Sequence, residues 1–355
     1  MARRLVRCSS CHTELQGPRA ISCAHCRCHT APPPSYLQRF LHGRSHIHSL
    51  PSLQSDPLRY SPTPDQGQGS KKAVICGISY RNTKFELDGC INDAKCMKYL
   101  LQTKFEFPES TIVMLTEEET DRWKIPTKHN IRNALRWLVQ GCRSGDSLVF
   151  HFSGHGLQQR NYNGEELDGY DETICPLDFK TQGVIVDDEI NETIVRPLTH
   201  GVRLHAIMDA CHSGTVLDLP FLWGTARYGC SKWEDHRPRT GTWKGTNGGE
   251  AFCFSGCDDS QSSADTSVLS NVTSTGAMTF CFIQAIEYGD GNTYASLLQN
   301  IRQNIHQKGF KKGKCVPISA LMQMLLASGS QKHVLIQEPQ LSASYMFDVN
   351  TLFRL

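Results

Sequence analysis

Short apolar runs alternate with amphipathic stretches over most of the chain. Ala73 to Ile78, Thr111 to Leu115, Leu148 to Phe152, Leu204 to Met208 and Ala251 to Phe254 are strand-length and nearly all apolar. Continuous runs of that length suit strands buried on both faces. Between them, Leu87 to Leu101 places Ile91, Ala94, Met97, Leu100 and Leu101 at helical spacing, and Thr127 to Gln140 does the same with Ile131, Ala134, Leu135 and Leu138. A period of 3.6 residues on one face predicts helices packed against a core. Asp188 to Val195 reads as a third helix. Gly276 to Tyr288, Thr293 to Ile305 and Pro317 to Leu326 follow as helices, and Tyr345 to Val349 as a late strand. Strands alternating with helices predict an α/β fold with a mostly parallel sheet and helices on both faces.

The ends of two predicted strands carry reactive side chains instead of ordinary turn residues. Leu148 to Phe152 runs into Ser153-Gly154-His155-Gly156, and Leu204 to Met208 into Asp209-Ala210-Cys211-His212-Ser213-Gly214. In open α/β sheets ligands bind beyond the carboxyl ends of the strands, where His155 and Cys211 both fall. A thiol is only partly ionised at neutral pH, and an imidazole that takes its proton activates it as a nucleophile. His155 is therefore the expected base for Cys211. His212 competes for the role, but a sequence neighbour points away in a strand-to-loop turn and ranks below. Taken singly, a buried cysteine or histidine is more often a core residue; the paired placement favours chemistry.

The N-terminal part has no such pattern. Cys8-Ser9-Ser10-Cys11 and Cys23-Ala24-His25-Cys26 form two closely spaced CxxC knuckles. Doubled knuckles are expected to bind one structural zinc ion through Cys8, Cys11, Cys23 and Cys26, with Cys28 or His29 as substitutes for the last. From Thr30 to Ser70, proline, serine, glutamine and histidine replace any periodicity, as in a flexible linker. Net charge is +2, so no bulk attraction to nucleic acid or an anionic membrane follows. Sixteen cysteines in a long α/β-like chain without an export signal suggest reduced thiols, and the expected location is the cytoplasm or nucleus. No apolar run is long enough to span a membrane.

The motifs at the strand ends resemble the metacaspase signature, and so do Gly89-Cys90-Ile91-Asn92-Asp93-Ala94, the run from Asp168 to Thr173, Val186 to Glu189 and Leu217 to Phe221. Ser255 to Asp259 and Ser263 to Thr266 are similar to the smaller C-terminal region of that family. The N-terminal knuckles resemble an LSD1-type zinc finger with a shortened loop, so the whole resembles a plant type I metacaspase. That resemblance implies the caspase–haemoglobinase fold behind a small zinc ribbon. It implies a zinc finger over 1–30, a linker over 31–70, a large catalytic region over 71–221, a basic linker loop over 222–249 and a small region over 250–355. It also implies a cysteine endopeptidase acting on protein substrates, with a role in programmed cell death or stress.

The same resemblance implies a first specificity pocket lined by Asp93 and Asp209, with Cys90 and Ser153 beside them. Asp209 lies two residues before the thiol on the same strand face, and an acidic pocket pairs with Arg or Lys of a substrate. Asp171, Asp187, Asp188 and Asp218 match positions at which the family binds an activating calcium ion, and separated carboxylates suit its six to eight oxygen ligands. An enzyme of this preference would find Arg227, Lys232, Arg237, Arg239 and Lys244 as self-cleavage candidates in the basic loop. The competing expectation is a catalytically silent scaffold that regulates cell death through protein partners of the zinc finger. Nucleic-acid binding ranks lowest, because no basic stripe with interleaved aromatics is present.

Overall fold

The computed structural model describes residues 69–166, 169–210, 215–225, 231–256, 277–289, 292–306 and 339–355. The knuckle cysteines, the Pro-rich segment, Cys211, Arg227, the stretch from Cys257 to Gly276 and the expected helix Pro317 to Leu326 lie outside these residues.

Eight strands form one twisted sheet in the order β2-β1-β3-β7-β10-β11-β8-β9. β1 (Lys71–Gly77), β2 (Ile112–Thr116), β3 (Ser147–Ser153), β7 (Arg203–Asp209) and β10 (Glu250–Ser255) run parallel. β11 (Gln340–Ala343), β8 (Phe221–Thr225) and β9 (Ser231–Asp235) add antiparallel pairings at one side. The parallel strands are the five apolar runs; β1, β3, β7 and β10 are buried on both faces as their composition requires, whereas β2, at the sheet edge, is half-buried over Ile112, Val113 and Met114. Successive residues feed opposite cores. Val74, Cys76, Phe150, Phe152, Leu204, Ala206 and Met208 pack with Ile131, Leu135 and Leu138 of α2 (Lys128–Val139). Ala73, Ile75, Val149, Ile207, Phe252 and Phe254 pack with Met97, Leu100 and Leu101 of α1 (Cys90–Lys104), and with α5 (Ala277–Glu287) and α6 (Tyr294–His306). The expected helices thus cover both faces.

Two element boundaries differ from the sequence expectation. α1 starts at Cys90 and not at Leu87, because Gly89 adopts φ 98° and caps it in a left-handed turn. Gly77 lets that first turn approach β1: a Cβ there would lie 2.5 Å from the Cys90 carbonyl oxygen. The late strand is Gln340–Ala343 and not Tyr345 to Val349. The ladder closes at Ser344, whose N–H donates to Ala251 and whose hydroxyl accepts from it, and the chain then leaves the sheet. Phe347 turns instead into rings of Phe252 and Tyr294, at 5.0 and 4.9 Å between centroids.

The acidic stretch after β3 is not a plain loop. β4 (Gly156–Arg160), β5 (Tyr170–Ile174) and β6 (Ile185–Val186) form a separate three-stranded antiparallel sheet, and α3 (Phe179–Gln182) is a single turn before β6. The helix expected at Asp188 starts at Asp187 (α4, Asp187–Ile190) and continues as a π-helical turn, Asn191–Val195. The segment expected as a basic loop holds the β8–β9 hairpin.

Candidate active site

β3 and β7 are neighbours, and their register pairs Ser153 directly with Asp209 at the carboxyl ends. The His155 and Cys211 ends are therefore adjacent because the strands are. Cys211 itself lies outside the described residues. His155 is fully buried at the start of the turn into β4. Its Nε2 lies 2.8 Å from the Phe85 carbonyl oxygen, which can only accept, so Nε2 carries the proton. Burial pushes the His155 pKa below 6.5, an effect the Phe85 carbonyl partly offsets, and the ring is neutral at physiological pH. Nδ1 is then the basic nitrogen, and it has no hydrogen-bond partner among the described residues. The ring is tilted against Tyr80 at 4.8 Å. Tyr80 Oη donates to the Cys175 carbonyl at 2.5 Å and accepts from the His155 N–H at 3.1 Å. Tyr80 thus ties the ends of β1, β3 and β5 around the imidazole. Neither Tyr80 nor the Phe85 carbonyl was legible as a partner of His155; Tyr80 reads as one more aromatic after a strand.

The residues expected for the specificity pocket come together. Asp93, on the first turn of α1, is 4% exposed, and Asp209, Ser153 and Cys90 are at 0%. Ser153 Oγ donates to Asp93 Oδ2 at 2.9 Å. The Thr279 N–H, at the start of α5, donates to Asp209 Oδ2 at 2.6 Å, so the positive end of that helix holds the carboxylate. Burial first, and the Asp209 charge second, raise the Asp93 pKa well above the usual carboxylate range. Two buried carboxyl groups that repel one another are suited to an incoming cation.

A second acidic assembly lies around β5, α4 and the chain after Thr215. Asp171, Glu172, Asp187 and Asp218 are each at most 8% exposed. Asp187 accepts the N–H groups of Glu172 and Asp188, at 2.7 and 2.8 Å. Its pKa is raised by burial, then by Glu172, Asp218 and Glu166. Burial and neighbouring carboxylates push Glu166 up to about 8, and its Oε1 is buried with no hydrogen-bond partner among the described residues. Burial raises Asp218 to about 7 despite a contact with Lys244. Such a concentration of buried carboxyl groups fits a hard divalent cation, with Asp171, Asp187, Asp188 and Asp218 as candidate ligands. Among the described residues, however, no three His, Cys, Asp or Glu side chains stand in ligating geometry.

Sequence reasoning missed the residues that connect this assembly to the segment following Cys211. Thr215 Oγ1 donates to Glu172 Oε2 at 2.5 Å. Asn191 Nδ2, on the π-helical turn, donates to the carbonyls of Leu217, Asp218 and Lys244 at 2.9, 3.1 and 2.8 Å. Asn191 lies in the helix expected over Asp188 to Val195, and Glu172 is next to the expected Asp171 on β5, but nothing in the sequence marks either as a link to that segment. Of the self-cleavage candidates, Lys232, Arg237 and Arg239 are exposed, whereas Lys244 is 4% exposed and ion-paired with Glu165, Asp188 and Asp218.

Residues 71–220, which carry both strand ends and the acidic assembly, match the metacaspase, peptidase C14 domain. Metacaspase-1 of Arabidopsis thaliana is 59% identical over 357 residues, covering 97% of this chain and 94% of the relative. The chain belongs to the metacaspase family. Metacaspase-2 of the same plant is 57% identical over 305 residues, covering 81% of this chain and 72% of that one. The crystal structure of Caspase-1 from Spodoptera frugiperda covers 80% of this chain and 92% of its own, at 11% identity and a TM-score of 0.36. As a metacaspase the protein is a cysteine protease with a caspase-like α/β fold, and its substrates are proteins. Among the described residues, no helix is long and apolar enough to cross a membrane.

Proposed function

We propose that this metacaspase is a calcium-dependent endopeptidase that cleaves after Arg or Lys through His155 and Cys211. The observation that carries the specificity is the buried Asp93–Asp209 pair at the end of the strand that leads to Cys211. A guanidinium or ammonium group placed between these carboxylates relieves their repulsion, whereas an aspartyl side chain adds to it. In the reaction, His155 Nδ1 takes the thiol proton as Cys211 Sγ attacks the scissile carbonyl. The same nitrogen then protonates the leaving amine, and water admitted to the vacated space hydrolyses the thioester with His155 again as base. The Phe85 carbonyl keeps the required tautomer throughout. Calcium, held by Asp171, Asp187, Asp188 and Asp218, would neutralise the acidic assembly and order the chain after Cys211. Thr215 and Asn191 are the supporting links. The two CxxC knuckles would hold a structural zinc ion, and the finger would engage protein partners. Self-processing in the basic segment, and a role in cell death or stress, belong to the same reading.

The test is hydrolysis of matched fluorogenic peptides ending in Arg, Lys or Asp, with calcium and with a chelator. Turnover of the Arg and Lys peptides in calcium alone is expected. Turnover confined to the Asp peptide would overturn the specificity, and equal rates in chelator would overturn the calcium requirement.

A further inference from the structure

Lys244 is the buried cation that the acidic assembly encloses. It is 4% exposed, and lysine is almost never that buried unless its charge is paired. Its Nζ contacts Asp188 and Asp218 and lies 2.9 Å from Glu165 Oε2. Two of those partners are carboxylates expected to ligate calcium. The backbone of the same residue is fixed separately, since its carbonyl accepts from Asn191 Nδ2 at 2.8 Å. The side chain can therefore swing away without moving the chain that presents it.

One ammonium group does not meet all the carboxyl groups around it. Asp171, Asp187 and Glu166 lie close to the cluster with no ion pair among the described residues, and Glu166 Oε1 is buried with no hydrogen-bond partner there. Glu165, Asp188 and Asp218 converge on Nζ, and among the described residues no three His, Cys, Asp or Glu side chains stand in ligating geometry. An ammonium at that point and a divalent cation at that point are mutually exclusive by charge and by space.

We propose that Lys244 is a tethered counterion that holds the acidic assembly in its metal-free arrangement, and that calcium enters by displacing its ammonium group. The inference rests on the calcium reading above. Lys244 then sets the calcium threshold: the ion must outcompete an intramolecular cation always present at high effective concentration. Asn191 also binds the carbonyls of Leu217 and Asp218, so the exchange takes place beside the segment that follows Cys211.

The full chain with Cys211→Ala, which cannot cleave itself, serves as the reference protein. Calcium binding is measured by calorimetry in this protein and in the same protein carrying Lys244→Met. Removal of the competitor should tighten calcium binding by about tenfold. In parallel, an amine-reactive ester labels the reference protein with and without calcium, and mass spectrometry reads each lysine. Labelling of Lys244 should rise by about tenfold on calcium addition, while exposed Lys232 stays constant. The labelling arm keeps Lys244 in place and does not depend on the variant folding. Calcium binding with unchanged Lys244 labelling, or with equal or weaker affinity in a folded Lys244→Met protein, would overturn the inference alone. No calcium binding in the reference protein and no calcium-induced labelling would overturn the calcium reading and the inference with it.

Discussion

Single side chains here owe their chemistry to what buries them. His155 becomes a neutral base with a fixed tautomer because a backbone carbonyl, not a third acidic side chain, holds its Nε2. Asp93 shows the opposite effect: burial and the Asp209 charge disfavour its ionised form, a cost that a cation in the proposed pocket would relieve. A carboxyl group whose pKa is raised in the folded state costs stability once the pH exceeds its unfolded value. Asp93→Asn keeps the shape and an acceptor for Ser153 but removes the charge. The variant is expected to melt higher than the parent at pH 7, while kcat/KM for an arginyl peptide falls about a hundredfold. Against a citrulline peptide, neutral and nearly isosteric, the two proteins should be alike. An unchanged Arg-to-citrulline preference in Asp93→Asn would remove Asp93 from the pocket.

At the scale of elements, the strand ends do the organising. The five central strands and the two helices over 90–104 and 128–139 were legible, because buried parallel strands read as unbroken apolar runs and covering helices as 3.6-residue stripes. The adjacency of Ser153 and Asp209 was legible only in part. The sequence places each at a strand end, but only the pairing of β3 with β7 makes them neighbours. What the sequence hid are short polar strands. β4 and β5 carry Gln, Arg, Asp and Glu at alternate or successive positions, so neither hydropathy period appears, and their pairing is specified by contacts across the sheet. The π-helical turn was equally hidden, since its extra residue shows as nothing in a stripe of apolar side chains. That turn aims Asn191 at three carbonyls from two distant segments. Lys244 was read as one of several loop cations; only tertiary structure distinguishes the one that folds inward.

The molecule as a whole joins these parts through one sheet whose two faces are separate cores, and β7 runs between β3 and β10 near its centre. His205, four residues before Asp209, is fully buried, stacked on Phe252 at 5.1 Å, with Nε2 2.7 Å from Tyr294 Oη. Burial, and then the Arg203 charge, push it down to about 3 from 6.5. Between those values the unfolded chain binds one proton more than the folded one, so this residue's contribution falls as pH drops, by about 1.4 kcal/mol per pH unit. His205→Gln should therefore flatten the loss of unfolding free energy between pH 6 and pH 4 by about that slope, measured by urea titration at each pH. Parallel slopes in the two proteins would show that His205 is protonated in the fold. In the proposed mechanism Cys211, activated beside His155, attacks substrates held by an acidic pocket in a calcium-loaded enzyme. Its most direct test is covalent: the full chain is incubated with a peptidyl arginyl chloromethyl ketone, or its aspartyl counterpart, and the adduct is mapped by mass spectrometry. An adduct on Cys211 from the arginyl reagent is expected, formed in calcium and lost in chelator and in His155→Ala. Modification of a different cysteine, or labelling of Cys211 by the aspartyl reagent as fast as by the arginyl one, would contradict it.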